Sequence, residues 1–300
     1  MLLDEIRTLL ARHARPDLST PIDGVLISCV KEPAGPSASM SGTVMALIAQ
    51  GAKRLALGER VYEYHAGQYL VASVDLPVTG HFVDVGPDRP ALGFGLTLEP
   101  SAIADLLLRA SSGAAPRAAT ASPGLAVSDA SAELLDAVAR LLRLLDQPRD
   151  IEVLAPLIKR EILWRLITAE QGPTVRQLGL ADSNHAHIAR AVRWIRDNYA
   201  RAFRVEDVAR LAGMSASAFY RNFQAVTAMS PIQFQKQIRL QEARLLLAAG
   251  PTDIAAVGHA VGYDSPSQFT REYRRLFGTP PSRDAARLHD SVLVAAPMLP

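Results

Sequence analysis

Residues 205–223 read Val205-Glu-Asp-Val-Ala-Arg-Leu-Ala-Gly213-Met-Ser215-Ala-Ser-Ala-Phe219-Tyr-Arg-Asn-Phe223, and this stretch decides the fold of the C-terminal part of the chain. It predicts a short helix that ends at Gly213, where a left-handed turn suits glycine best. Ser215 is the predicted cap of a second helix, whose inner face carries Phe219 and Phe223. The outer face of that helix carries four hydrogen-bonding side chains: Ser217, Tyr220, Arg221 and Gln224. This order of elements is typical of a helix-turn-helix.

The same pattern recurs fifty residues along the chain, from Ser215 to Ser265. Gly262 is the predicted turn of the second unit, and Ser265 is the predicted cap of its second helix. Phe269 and Tyr273 repeat the inward pair of the first unit. The predicted outward side chains are Ser267, Gln268 and Arg271, with Arg274 and Arg275 a turn further along.

Between the two units, residues 231–249 predict one long helix that holds them at a fixed separation, and Thr252 is the predicted cap of the helix after it. Residues 185–300 carry 15 Lys and Arg against 9 Asp and Glu, whereas residues 1–184 carry 17 against 21. On charge alone, a solvated basic surface and a polyanion-binding surface fit equally well. Two units in register within the basic part of the chain favour the second interpretation.

The N-terminal half has a different texture. From Gly24 to Leu98, short runs rich in Val, Leu and Tyr alternate with turn signals, which predicts a small barrel or sandwich. Helical patterns follow at 101–110, 131–145 and 151–169, with a breaker-rich loop predicted at 111–124. The predicted fold class is α+β: an N-terminal β-barrel with a helical appendage, then an all-α tandem helix-turn-helix domain.

The predicted domains are 1–180 and 181–300, with helix-turn-helix units at about 205–226 and 252–276. The single cysteine, Cys29, excludes an internal disulfide and a cysteine-rich zinc site. Asp4 and Glu5 stand where a signal peptide needs positive charge, and no run reaches the length of an apolar membrane span. The sequence therefore predicts a cytoplasmic protein without a membrane partner.

The C-terminal pattern resembles the AraC/XylS family of transcription regulators. The residues that carry the resemblance include Gly213-Met-Ser215, Phe219-Tyr-Arg-Asn-Phe223, Ser230-Pro231, Val261-Gly-Tyr-Asp-Ser265 and Phe277-Gly-Thr-Pro280. One departure is Ala228, where the family pattern usually has glycine before Ser-Pro. Residues 50–80 are similar to the cupin-like N-terminal domain of one branch of the family, in which the barrel senses a small molecule.

The resemblance implies a sequence-specific DNA-binding transcription regulator, modulated by a small-molecule effector and acting as a homodimer. It implies that two recognition helices enter successive major grooves of double-stranded DNA. The implied base-reading residues are Ser217, Tyr220, Arg221, Gln224, Ser267, Gln268 and Arg271, with Arg274 and Arg275 on phosphates. RNA polymerase is an implied partner if the protein is an activator.

Candidates for an effector pocket in the barrel are Tyr62, Tyr64, His65, Tyr69 and His81, although period-two alternation places about half of any such set on the outer surface. No catalytic residue, metal site or cofactor is expected. His65 and His81 stand alone in the β region, and Ser215 lacks the strand and Gly-x-Ser-x-Gly turn of a nucleophile. The alternative is a cupin-type sensor or enzyme whose C-terminal helices mediate protein contacts.

Overall fold

The computed structural model describes residues 1–110, 122–181, 183–250 and 253–291, without the side chains of 289–291. They form two compact units. The N-terminal unit is Met1–Ala189 with Ala225–Ala228, and the C-terminal unit is Arg190–Gln224 with the described residues that follow Ala228. Most of the predicted loop at 111–124 and the predicted cap Thr252 lie outside the described residues.

The strands of the N-terminal unit form two antiparallel sheets. They are β1 (Val25–Val30), β2 (Ser37–Met40), β3 (Val44–Gln50), β4 (Ala52–Leu57), β5 (Arg60–His65), β6 (Gln68–Ala72), β7 (Pro77–Val83), β8 (Ala91–Thr97) and β9 (Leu125–Asp129). The first sheet has the order β1-β8-β3-β6-β9, and the second has the order β2-β7-β4-β5. Gly51 and Gly67 have positive φ at the tight connections, a conformation that glycine adopts without strain.

Helices cover one face of the five-stranded sheet. They are α1 (Leu2–His13), α2 (Pro100–Ala110), α3 (Ala132–Arg143), α4 (Ile151–Thr168) and α5 (Gly172–Leu178). The amphipathic pattern of α3 buries Leu134, Val138 and Leu141 in the same core as Met45 and Phe94 of the sheet. The opposite face of this sheet is also buried, because the four-stranded sheet lies against it. In the described parts of the chain, no helix is both long and apolar enough to cross a membrane.

All regular secondary structure in the described residues of the C-terminal region is helical. It contains α6 (Asn184–Asp197), α7 (Val205–Leu211), α8 (Ala216–Thr227), α9 (Pro231–Ala248), α10 (Ile254–Ala260), α11 (Pro266–Phe277) and α12 (Pro281–Ser291). The start of α9 is fixed by a capping box, in which Ser230 accepts from Gln233 N and Gln233 accepts from Ser230 N. The α+β fold class and the helix predicted between the two units are confirmed.

Candidate nucleic-acid interface

The first helix-turn-helix consists of α7, a glycine turn and α8. Gly213 has φ of 71°, and Ser215 Oγ accepts from Ala218 N at 3.3 Å, as the sequence predicts. Phe219 and Phe223 are both fully buried, with ring centroids 5.3 Å apart. Because this pair anchors the inner face of α8, the opposite face of that helix is turned to solvent.

The second unit repeats this geometry with α10 and α11. Gly262 has φ of 91°, and Ser265 Oγ accepts from Gln268 N at 3.4 Å, which confirms the predicted turn and cap. Thr252, which the sequence predicts as the cap of α10, lies outside the described residues. Asp253 is the cap, since its carboxylate accepts from the backbone N–H groups of Ala255 and Ala256. A carboxylate satisfies two unpaired N–H groups at once and also suits the positive end of the helix.

Helix α9 binds both units through side chains. Phe223 of the first unit meets the Phe234 ring edge-on at a centroid distance of 5.4 Å. Arg239 donates to the carbonyl oxygens of Tyr199 at 2.7 Å and of Gly262, in the second turn, at 2.8 Å. Helix α9 therefore fixes the separation of α8 and α11 within the C-terminal unit.

A buried carboxylate, Asp284, connects α12 to the rest of this unit through hydrogen bonds. Asp284 of α12, which is only 3% exposed, accepts from the Tyr273 hydroxyl at 2.8 Å and from Arg244 Nε at 2.9 Å. Burial raises the pKa of Tyr273, and its hydrogen bond to Asp284 raises it further, so the hydroxyl stays protonated and donates. These bonds connect α9, α11 and α12.

The structure places the predicted DNA-facing residues on two exposed helix faces. The exposed ones are Ser217, Tyr220, Arg221 and Gln224 on α8, and Ser267, Arg271, Arg274 and Arg275 on α11. Gln268 is the exception, since it is partly buried. On α11 a surface depression is lined by Pro266, Ser267, Thr270, Arg271, Arg274 and Pro280. The sequence analysis missed Thr270 and Pro280.

Behind α11 lies a polar cluster that the sequence analysis also missed. Glu272 accepts from Lys236 Nζ at 2.9 Å, from the Tyr263 hydroxyl at 2.8 Å and from Gln268 Nε2 at 3.1 Å. Burial opposes ionisation of Glu272, but these three hydrogen bonds hold its pKa below the usual value. The spacing of Gln268 and Glu272, four residues apart on one helix, was the available signal.

The structure does not bring the five predicted effector-pocket residues into one space. Tyr64 is fully buried between the sheets and Tyr62 is half-buried on the same side of β5, whereas Tyr69 lies in the core under the helices. His65 is exposed, with Nε2 3.6 Å from Glu63 Oε1. His81 lies opposite Arg54 on the neighbouring strand, and both side chains are on the outer face of the four-stranded sheet.

Two buried polar groups between the sheets were not anticipated. Lys53, 1% exposed, stands beside Tyr64 and Phe82 in the strand register, and its Nζ lies 5.0 Å from the centroid of the Phe82 ring. Burial lowers the pKa of Lys53 to about 7. Ser28 is fully buried on the facing sheet, and its Oγ has no hydrogen-bond partner among the described residues. Within those residues no group of three His, Cys, Asp or Glu could hold a metal ion.

A double-sheeted β-domain joined to tandem helix-turn-helix units defines a class of two-domain helix-turn-helix proteins. The model of the AraC-type transcriptional regulator N-terminus matches residues 21–174, and a helix-turn-helix domain model matches residues 208–287. The first match covers half of the sequence, and the chain belongs to the AraC-type transcriptional regulators.

Similar proteins include regulators from several bacteria. The chain is 30% identical over 131 residues to the HTH-type transcriptional regulator ExsA of Pseudomonas aeruginosa, covering 44% of this chain and 47% of ExsA. It is 28% identical over 159 residues to the thermoregulatory protein LcrF of Yersinia pestis, covering 53% of this chain and 58% of LcrF. The chain thus spans about half the length of the curated relatives it matches. Unsaturated fatty acid-bound ToxT from Vibrio cholerae shares the fold, with a TM-score of 0.52 and 11% identity over 89% of this chain and 95% of ToxT.

Proposed function

We propose that this protein is a sequence-specific DNA-binding transcription regulator that acts in the cytoplasm. The observation that carries the proposal is the pair of exposed helix faces on α8 and α11, held by α9 at a fixed separation. Two such helices reach successive major grooves on one side of B-DNA, about 34 Å apart. The domain boundaries we propose are 1–180 and 181–300.

Arg221 and Arg271 occupy equivalent positions of the two helices and are both exposed. A guanidinium donates two parallel hydrogen bonds to O6 and N7 of guanine, so these are the primary base readers we propose. The secondary readers are Ser217, Tyr220, Gln224, Ser267 and Gln268. Arg274 and Arg275, near the C-terminal end of α11, are assigned to phosphates.

The experiment is binding of the purified full-length chain to the DNA upstream of its own gene and to a scrambled duplex, across a salt series. The proposal expects discrimination of about 10³-fold or more and a steep loss of affinity with salt. The alternative, in which the C-terminal helices mediate protein contacts, expects weak binding to both duplexes with little salt dependence. Transcription with purified RNA polymerase then separates activation from repression, and a rise in transcript would make the polymerase a second partner.

We assign effector binding to the space between the two sheets, on Lys53, Tyr64, Tyr62 and Ser28. The charged form of a buried amine is stabilised by an anion, because burial removes the water that would otherwise solvate it. On the facing sheet, Ser28 pairs with Gly93 of β8, which in turn pairs with Ile48 of β3, and Gly95 lies two residues further along β8, so β8 places no side chain in this space. A small carboxylate or phosphate with an apolar body fits these groups.

Thermal shift of the full-length chain with a panel of small carboxylates and phosphates tests this assignment. A ligand that binds wild type should lose about 1.5–3 kcal/mol of binding free energy with Lys53→Met, the range for a hydrogen bond to a charged group. Affinity should also fall as the pH rises above about 7, where Lys53 loses its proton. Arg54→Met changes the neighbouring cation on the outer face and should leave binding intact. Equal loss in both variants would contradict the assignment.

We also propose a homodimer that forms through α4. Val153, Leu157 and Trp164 are 68%, 61% and 37% exposed and lie on one face of this helix. Pairing this face with the same face of a second copy would cover the exposed apolar side chains of both. Such a two-fold contact is self-complementary.

Leu157→Asp should convert the dimer to a monomer in analytical ultracentrifugation. Val61→Asp is the matched control, since Val61 is 64% exposed on β5, and it should leave the mass unchanged. If Leu157→Asp remains a dimer, the dimer interface does not include this face of α4.

A further inference from the structure

Among the base readers we propose, Gln268 has its side chain held by another protein group. Its Nε2 donates to Glu272 Oε1 at 3.1 Å, one turn along α11. The same carboxylate accepts from Lys236 Nζ of α9 and from the Tyr263 hydroxyl in the turn. The Glu272 side chain is 19% exposed. Three donors from three segments therefore fix the position of this carboxylate.

The carboxylate also fixes the direction of the amide. Ionised Glu272 has only acceptor oxygens, so Gln268 must turn its NH₂ group toward it. The reversed amide would place two acceptors against each other without a hydrogen between them. In the held orientation, Nε2 keeps one further N–H, and Oε1 keeps its acceptor capacity. Gln268 thus offers one donor and one acceptor in a fixed order.

The helix-turn-helix fold does not require this arrangement. The positions in α8 that correspond to Gln268 and Glu272, fifty residues earlier, are Ala218 and Asn222. The inward pairs of the two helices are equivalent, and so are Arg221 and Arg271. A feature that is present in one recognition helix and missing from its structural repeat points to a role on the surface of α11.

We infer that Glu272 is a positioning residue that orients Gln268 to read adenine. This inference rests on the proposed function. Adenine presents the N7 acceptor beside the N6 amino donor in the major groove, and an amide of fixed direction pairs with both. Guanine presents two acceptors, N7 and O6, so Oε1 of the held amide would face an acceptor. Without the carboxylate the amide can reverse, and discrimination between the two purines weakens.

The test uses the full-length chain and a pool of duplexes with roughly 20 randomised base pairs, about two helical turns. Bound duplexes are sequenced, and the preference for adenine over guanine is measured at each position. Gln268→Ala should erase the adenine preference at one position. Glu272→Gln has the same shape without the charge, and should lower that preference at least about fivefold while other positions are retained. Glu206→Gln, the same change on an exposed residue of α7, should alter no position.

The outcomes separate the inference from the function on which it rests. Adenine preference that survives in Glu272→Gln but disappears in Gln268→Ala would leave Glu272 with a purely structural role and overturn the inference. An unchanged preference in Gln268→Ala would overturn it as well. A wild-type chain that enriches no sequence would instead contradict the proposed function. If Glu272→Gln does not fold by thermal melting, Glu272→Asp, whose shorter carboxylate withdraws from Gln268, should give the same loss.

Discussion

At the scale of single residues, the turn of the second helix-turn-helix depends on a backbone position where a side chain is excluded. A Cβ added at Gly262 would lie 2.1 Å from the Ala200 carbonyl oxygen, in addition to the strain of a φ of 91°. Gly262→Ala should therefore lower stability by more than about 3 kcal/mol, measured by thermal unfolding. Gly278→Ala is the matched control, because its φ is 74° but the added Cβ meets no described atom within 4 Å. It should cost only about 1–2 kcal/mol, and equal losses would show that the contact with Ala200 relaxes.

Ala228 also has a strained backbone with positive φ, although it is not a glycine. Its φ is 58°, in the left-handed region that costs a non-glycine residue about 1–2 kcal/mol. Ala228→Gly should raise the melting temperature by about 2–4 °C, since relief of this strain exceeds the added entropy of the unfolded glycine. Ala225→Gly, inside α8, should instead lower the melting temperature. A lower value for Ala228→Gly would mean that its neighbours already compensate for the strained backbone.

At the scale of elements, α9 is the part on which both recognition helices depend. Arg239 donates to the carbonyl oxygens of Tyr199, Ala200 and Gly262, which lie just after the C-terminal ends of α6 and α10. Its guanidinium supplies charged hydrogen-bond donors to these carbonyls. Arg239→Met keeps the stem and removes the donors, so it should destabilise the C-terminal unit by about 2–4 kcal/mol in urea unfolding. Arg210→Met removes an exposed ion pair with Asp207 and should change stability by less than about 0.5 kcal/mol. Similar values for both variants would contradict the role assigned to Arg239.

The elements also show what the sequence could predict. Gly213, Ser215 and Phe219 define the helix-turn-helix because turn, cap and inner face are local properties, and the second unit follows by repetition. The β-domain is different, because alternation along a strand does not show which of the two sets of alternate residues faces inward. Tyr64 is buried and His65 is exposed for that reason, and the buried Lys53 reads in the sequence like any surface lysine.

At the scale of the whole molecule, a formal net charge of only +2 conceals a basic C-terminal part, and under the proposed function this asymmetry predicts how DNA affinity responds to salt. The slope of log K against log[salt] scales as about −0.9 per neutralised phosphate. Arg275→Ala should therefore make the slope shallower by about 0.9 and weaken binding to every duplex by a similar factor. Arg271→Ala should cost about 1–3 kcal/mol, mostly through lost discrimination at one base position. Competition binding with single-base operator variants across the salt series measures both, and uniform loss in Arg271→Ala would reassign that residue to a phosphate.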